Sequence, residues 1–183
     1  MSRLFVAIDL PENIKEKITS TYLAIPSAKW IDKDQLHLTL RFIGETSRET
    51  AESLDSCLRG IDFPPISLTM KGVGFFPPRK QPRILWCGIA ENEQLMRFQN
   101  KIERAVSASG ISPDNRKFHP HITVARLKNS PPERVADYMA MNSLFETEQF
   151  TVSEFHLYSS HLSREGSHHT REVTYSLEDR NNI

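Results

Sequence analysis

Short blocks in which apolar residues alternate with polar ones, or run together, recur along the chain. They predict strands at Leu4–Leu10, Leu36–Ile43, Ile66–Val73, Ile84–Ile89, His121–Leu127, Phe150–Leu157 and Glu172–Leu177. Between them the apolar spacing changes to that of a helix. Pro11–Leu23 opens with proline at an early helical position and repeats Ile14, Ile18 and Tyr22. Ser47–Leu58 sets Ala51, Leu54 and Leu58 on one face. Glu91–Ser109 does the same with Leu95, Phe98, Ile102 and Val106, then meets Gly110. Ser130-Pro-Pro-Glu133 has the form of a capping box and predicts a helix running through Val135 and Tyr138.

One frame occurs twice. His37-Leu-Thr-Leu-Arg-Phe-Ile-Gly44 and His121-Ile-Thr-Val-Ala-Arg-Leu-Lys128 both read His-apolar-Thr-apolar, 84 residues apart, and each precedes a predicted helix. That spacing is near half the chain and far longer than a solenoid repeat. It predicts an α+β fold of two pseudo-symmetric lobes, each an antiparallel sheet with outer helices, around a central cleft. Residues 1–183 then form a single bilobal domain.

Composition narrows the setting. Twenty-three Lys and Arg balance 23 Asp and Glu, and 38% of residues are hydrophobic, so the chain is neither disordered nor fibrous. Zero formal charge argues against tight, sequence-blind binding of long nucleic acid. No apolar run reaches membrane-span length, and the opening apolar segment meets Asp9 too soon for a signal peptide. Cys57 and Cys87 stand alone without a CxxC pair, which excludes a disulfide scaffold and a Cys-rich zinc site and predicts a cytoplasmic location.

In a regular strand, side chains alternate between faces. His37, Thr39 and Arg41 therefore share a face opposite Leu38, Leu40 and Phe42, and His119, His121 and Thr123 share one opposite Ile122 and Val124. A lone His-x-Thr is ordinarily just the wet side of a sheet. Two in matching frames point to a shared cleft and to in-line chemistry at phosphorus. Opening a cyclic phosphodiester needs a base for the incoming water and an acid for the leaving oxygen, and imidazole serves as either near neutrality.

The doubled motif resembles the 2H phosphoesterases, and within them the bacterial and archaeal RNA 2′,3′-cyclic phosphodiesterases, also described as 2′-5′ RNA ligases. The likeness extends over Arg3-Leu-Phe-Val-Ala-Ile8, Leu36–Glu45, Gly72-Val-Gly-Phe-Phe-Pro77, Arg83-Ile-Leu-Trp86, Phe118–Arg126 and Ser160-His-Leu-Ser163. It implies that His37 donates a proton to the departing 3′ oxygen and that His121 activates water. Thr39, Thr123 and Arg126 would hold the phosphate, and the product would be a 2′-phosphate. Neither cofactor nor metal is implied, and the partners implied are RNA ends or nucleotide cyclic phosphates. A monomer is expected. Where the family carries Gly-Pro-x-Tyr after the late Ser-x-Leu segment, this chain has Gly166-Ser-His-His169.

Strict alternation conflicts with one of these roles. Arg126 has the opposite parity to His121, whereas Arg41 has the parity of His37 and is the arginine that regular geometry favours for phosphate. Phe42 stands five residues after His37, where Arg126 stands after His121. A bulge in each strand would turn Phe42 and Arg126 to the cleft, one as an aromatic face for a base and the other as a cation. Outside the motifs, His168 and His169 read as solvent-exposed loop residues, and His119 and His156 as structural. The basic stretches Arg79–Arg83 and Arg116-Lys117 flank the predicted cleft. Trp30, Trp86 and Phe118 are candidates for stacking or for simple packing. Two other readings share the site: 2′-5′ joining of RNA ends, and non-catalytic binding of an RNA end.

Overall fold

The computed structural model describes residues 2–77, 81–163 and 166–178. Arg79 and Lys80 of the predicted basic loop lie outside that range. The first sheet contains β1 (Ser2–Asp9), β3 (His37–Thr46), β9 (Glu154–Ser163) and β10 (Gly166–Ser176) in the order β10-β9-β1-β3. The second contains β2 (Ala28–Trp30), β5 (Met70–Phe76), β6 (Ile84–Ile89) and β7 (His121–Leu127) in the order β2-β7-β6-β5. A two-stranded ribbon pairs β4 (Ile66–Leu68) with β8 (Phe150–Val152). Every paired neighbour is antiparallel. The α+β class with antiparallel sheets is therefore as the sequence predicts.

The sheets are not the two halves of the chain. β1 and β3 join strands from the far end, while β2, three residues long and unread in the sequence, crosses to pair with β7 through Ala28↔Leu127 and Trp30↔Ala125. Two predicted strands are each broken in the middle. Ile66–Val73 divides at Thr69 into β4 and β5, and Phe150–Leu157 divides at Ser153 into β8 and β9. Thr69 and Ser153 lend their carbonyls to Ala90 and Leu177 instead of to a ladder. Both strands thereby switch from the ribbon to a main sheet.

The four α-helices among the described residues follow the apolar periods closely. The Ser47 hydroxyl accepts the Thr50 N–H at the start of α2 (Arg48–Arg59). The Asn92 side chain accepts the Leu95 N–H at the start of α3 (Glu93–Ala108), and Gly110 beyond it takes a left-handed φ of 88°. α1 (Glu12–Thr19) is shorter than predicted. Ser20 and Thr21 turn their hydroxyls back onto the carbonyls of Lys17 and Ile18 and leave Tyr22 outside the helix. The capping box is not formed: α4 (Pro132–Met141) begins after Pro131 without a side-chain cap, and the buried Ser130 hydroxyl has no partner.

Leu54 and Leu58 of α2, Phe98 and Ile102 of α3, and Leu38 and Leu40 of β3 lie in one buried cluster. That cluster continues through Ile122 and Val124 of β7 to Tyr138 of α4. The Tyr138 ring meets Trp30 at 5.6 Å, and its hydroxyl lies 3.1 Å from that of Thr21. No helix among the described residues is long and apolar enough to cross a membrane.

Candidate active site

The two His-x-Thr frames lie on β3 and β7, one in each main sheet. Each strand carries one extra residue at the same place. Ala7 faces Thr39 while Val6 faces Arg41, so Leu40 is unmatched. Likewise Trp86 faces Thr123 while Leu85 faces Ala125, so Val124 is unmatched. Leu40 and Val124 both stand three residues after the motif histidine. Two consecutive side chains then enter the interior, Leu40-Arg41 in one strand and Val124-Ala125 in the other. The next residue in each strand, Phe42 and Arg126, changes face, and in β3 a second unmatched residue, Ile43, follows at once.

That change reorganises the site and corrects the assignment of Arg41. Its side chain is 8% exposed and turned away from the cleft, where Nε donates to Glu103 at 2.6 Å and Nη2 donates to the Ser112 carbonyl at 2.7 Å. Glu103 also accepts the Asp114 N–H. Arg41 thus ties β3 to α3 and the loop after it. Phe42, 50% exposed, and Arg126 take the outward places.

A cavity of about 400 Å³ lies between the sheets. His37, Thr39 and Phe42 line it from β3, and His121, Thr123 and Arg126 from β7. Gln35, Lys29, Trp30 and His169 also line it.

Both motif imidazoles are fixed in the same way. His37 Nδ1 lies 2.7 Å from the Gln35 carbonyl, and His121 Nδ1 lies 2.6 Å from the His119 carbonyl, two residues upstream in each case. A carbonyl only accepts, so each ring carries its hydrogen on Nδ1 and keeps Nε2 for chemistry. Each ring is also flanked by a phenylalanine and a second histidine. Phe5 sits 5.0 Å and His169 5.2 Å from His37, and Phe76 sits 5.1 Å and His119 6.1 Å from His121.

These surroundings favour neutral rings. Burial, with the nearby His169 adding to it, pushes His37 down to about 4 against the pull of its bond to Gln35 and of Asp9. His121 is lowered by burial and by His119, and His169 by burial, Arg126 and His168.

The remaining histidines divide differently from the sequence reading. His168 and His169 are in strand β10, not in a loop. Both line the cavity, His168 at an exposed position and His169 with its main-chain N–H donating to Gln35 Oε1 at 3.0 Å. His156 is buried with Nδ1 3.0 Å from the Thr174 hydroxyl. Gln35 and His169 are among the cavity residues that sequence reasoning missed, as are Phe5, Lys29, Asp32 and His168. The departure from Gly-Pro-x-Tyr at Gly166-Ser-His-His169 is the signal that could have found His169. Among the described residues, no group of three or more His, Cys, Asp or Glu is placed to hold a metal ion.

Residues 11–164 match the 2′-5′ RNA ligase superfamily. The RNA 2′,3′-cyclic phosphodiesterase of Archaeoglobus fulgidus is 33% identical over 90% of this chain and 94% of its own. The enzyme of the same name from Escherichia coli is 31% identical over 92% of each. Among solved structures, apo LigT of E. coli superposes with a TM-score of 0.78 at 28% identity, over 96% of this chain and 97% of that one. TT0787 of Thermus thermophilus superposes at 0.80 and 26% identity, over the same shares.

Proposed function

This chain belongs to the 2′-5′ RNA ligase superfamily, and from that premise we propose that its cleft hydrolyses RNA or nucleotide 2′,3′-cyclic phosphates to 2′-phosphates. The observation that carries the reading is the pair of Nδ1-anchored imidazoles, one from each sheet, in one cavity. His121 Nε2 takes a proton as water attacks phosphorus. The bond from phosphorus to the 3′ oxygen breaks, and His37 Nε2 gives that oxygen its proton. Thr39, Thr123 and Arg126 hold the non-bridging oxygens, and Phe42 offers its ring to the terminal base.

The burial that depresses His37 leaves it neutral in the free protein near pH 7. The phosphate's own negative charge supplies the missing stabilisation, because an adjacent anion raises an imidazole pKa. Substrate binding and loading of the acid are then one event. Proton transfer and charge neutralisation fall to side chains, with no metal in the scheme. Each sheet supplies one half of the machinery, so residues 1–183 act as one catalytic domain, complete in a monomer. The unpaired Cys57 and Cys87 fit a reducing, cytoplasmic setting.

Phosphorus NMR of a nucleoside 2′,3′-cyclic phosphate incubated with the protein and EDTA tests this reading. The expected product is the 2′-phosphate, formed despite the chelator. A 3′-phosphate would overturn the direction of opening, and no conversion of either a cyclic nucleotide or a cyclic-ended RNA would overturn the reaction itself.

A further inference from the structure

A second cavity, of about 770 Å³, lies beside the first, where its lining residues Trp86 and His119 pack against His121 of the first. On β6, Trp86 pairs with Thr123 and Gly88 with His121, so both point to the cleft side of the sheet. The indole lies flat over Gly74, where a Cβ would come within 2.1 Å of the ring. Gly88 is equally confined, since a Cβ there would meet the Lys71 carbonyl at 2.6 Å. Two glycines thus leave a tryptophan lying on a sheet. His119 and Phe76 abut it at 5.3 and 5.5 Å, and its centroid is 6.3 Å from that of His121. Its buried Nε1–H has no hydrogen-bond partner.

A partly exposed aromatic face, backed by main chain and opening into a cavity beside a reacting centre, is the platform on which an unpaired base stacks. Lys71 and Lys117 border the same cavity, with Glu91, and with Arg97 paired to Glu93. The charges nearly balance, so stacking rather than phosphate attraction dominates there. A ribose whose cyclic phosphate sits between His37 and His121 carries the rest of its RNA on the 5′ oxygen, and that chain needs a path out of the site. We propose that the groove over Trp86 binds the nucleotide immediately 5′ of the cyclic end, with its base on the indole and its phosphate near Lys117. The proposal deepens the phosphodiesterase reading and rests on it. It makes the preferred substrate an oligonucleotide end and not a free nucleotide.

The test compares kcat/KM for a dinucleotide ending in a 2′,3′-cyclic phosphate with that for the mononucleoside 2′,3′-cyclic phosphate. Stacking of one base predicts a preference for the dinucleotide of about tenfold or more. That ratio falls towards one in Trp86→Ala, is largely restored in Trp86→Phe, and is reduced in Lys117→Ala, a change at an exposed position that spares folding. A wild-type ratio near one overturns the proposal. So does a preference that survives both Trp86→Ala and Lys117→Ala, which would leave the groove to some other occupant. If neither substrate turns over, the hydrolytic reading fails, and the groove is judged by binding. Quenching of indole fluorescence by a dinucleotide 2′-phosphate that is lost in Trp86→Phe supports it, and no such quenching overturns it.

Discussion

His37 and His169 meet edge to face with ring centroids 5.2 Å apart, and Gln35 connects them. The Gln35 carbonyl faces His37 Nδ1, while its side chain accepts the His169 N–H. A positive charge on one ring opposes a charge on the other, and His169 helps to hold His37 below the ordinary imidazole range. A general acid loses its proton as pH rises through its pKa, so the alkaline limb of kcat/KM should fall below the usual 6.5. Replacing His169 with Phe keeps a ring against Phe5 and removes the repulsion, so that limb should move to higher pH. A limb that stays put, or moves down, would show that His169 packs without acting on His37.

Loss of either motif imidazole should remove a proton-transfer step. His37→Ala and His121→Ala are each expected to lower kcat by ~10²–10⁴-fold. The double variant should fall by less than the product of the two, since residues acting as a unit are not additive. Steady-state kinetics on a cyclic nucleotide measures all three, and near-normal turnover in either single variant rejects the pairing.

Arg41 and Arg126 should respond in opposite ways. Arg41→Met leaves the part-buried Glu103 carboxylate with the Asp114 N–H but without its cation and is expected to cost about 1.5–3 kcal/mol, read as a lowered thermal midpoint with KM nearly unchanged. Arg126→Ala alters an exposed position and should change stability by about 0.5 kcal/mol or less. It should nonetheless reduce kcat/KM by roughly 10–100-fold through a lost charge-assisted bond to phosphate. The reverse pattern would return the phosphate contact to Arg41.

Acid should destabilise the fold through its buried imidazoles. His37, His121, His156 and His169 are all lowered chiefly by burial. Below 6.5 the unfolded chain takes up protons that the folded one refuses, down to about 4 for His37, so stability is present above that window and lost as pH falls through it. A fully buried imidazole contributes roughly 1 kcal/mol per pH unit within the window. Urea unfolding at about pH 7 and about pH 5 should show the loss. His156→Asn, at a buried position away from the cavity, should flatten it.

Local rules gave the paired frames almost completely, because His-apolar-Thr-apolar fixes which face of a strand is dry. Phe42 and Arg126 were legible only as a contradiction: their parity sends them inward, and an unmatched Leu40 and Val124 send them out. Arg41 misled for the same reason, since a guanidinium with the parity of His37 looks like a ligand until the bulge turns it to Glu103. β10 carries polar residues on both faces and sits at a sheet edge, so alternation could not mark which side of His169 meets the cavity. The splits at Thr69 and Ser153 depend on partners far along the chain, which local patterning does not contain.

The interleaving of strands bears on how the protein is made. β1 precedes both motifs in the chain, yet gains its second neighbour only when Arg3 finds Ser160. Both motifs have by then been synthesised, yet the histidine on β3 still lacks Tyr158, which stacks on Phe5 behind it, and His169, which meets its edge. A polypeptide stopped short of β9 would emerge with every motif residue and an unsupported acid, and nascent chains would stay inert until the final hairpin closes.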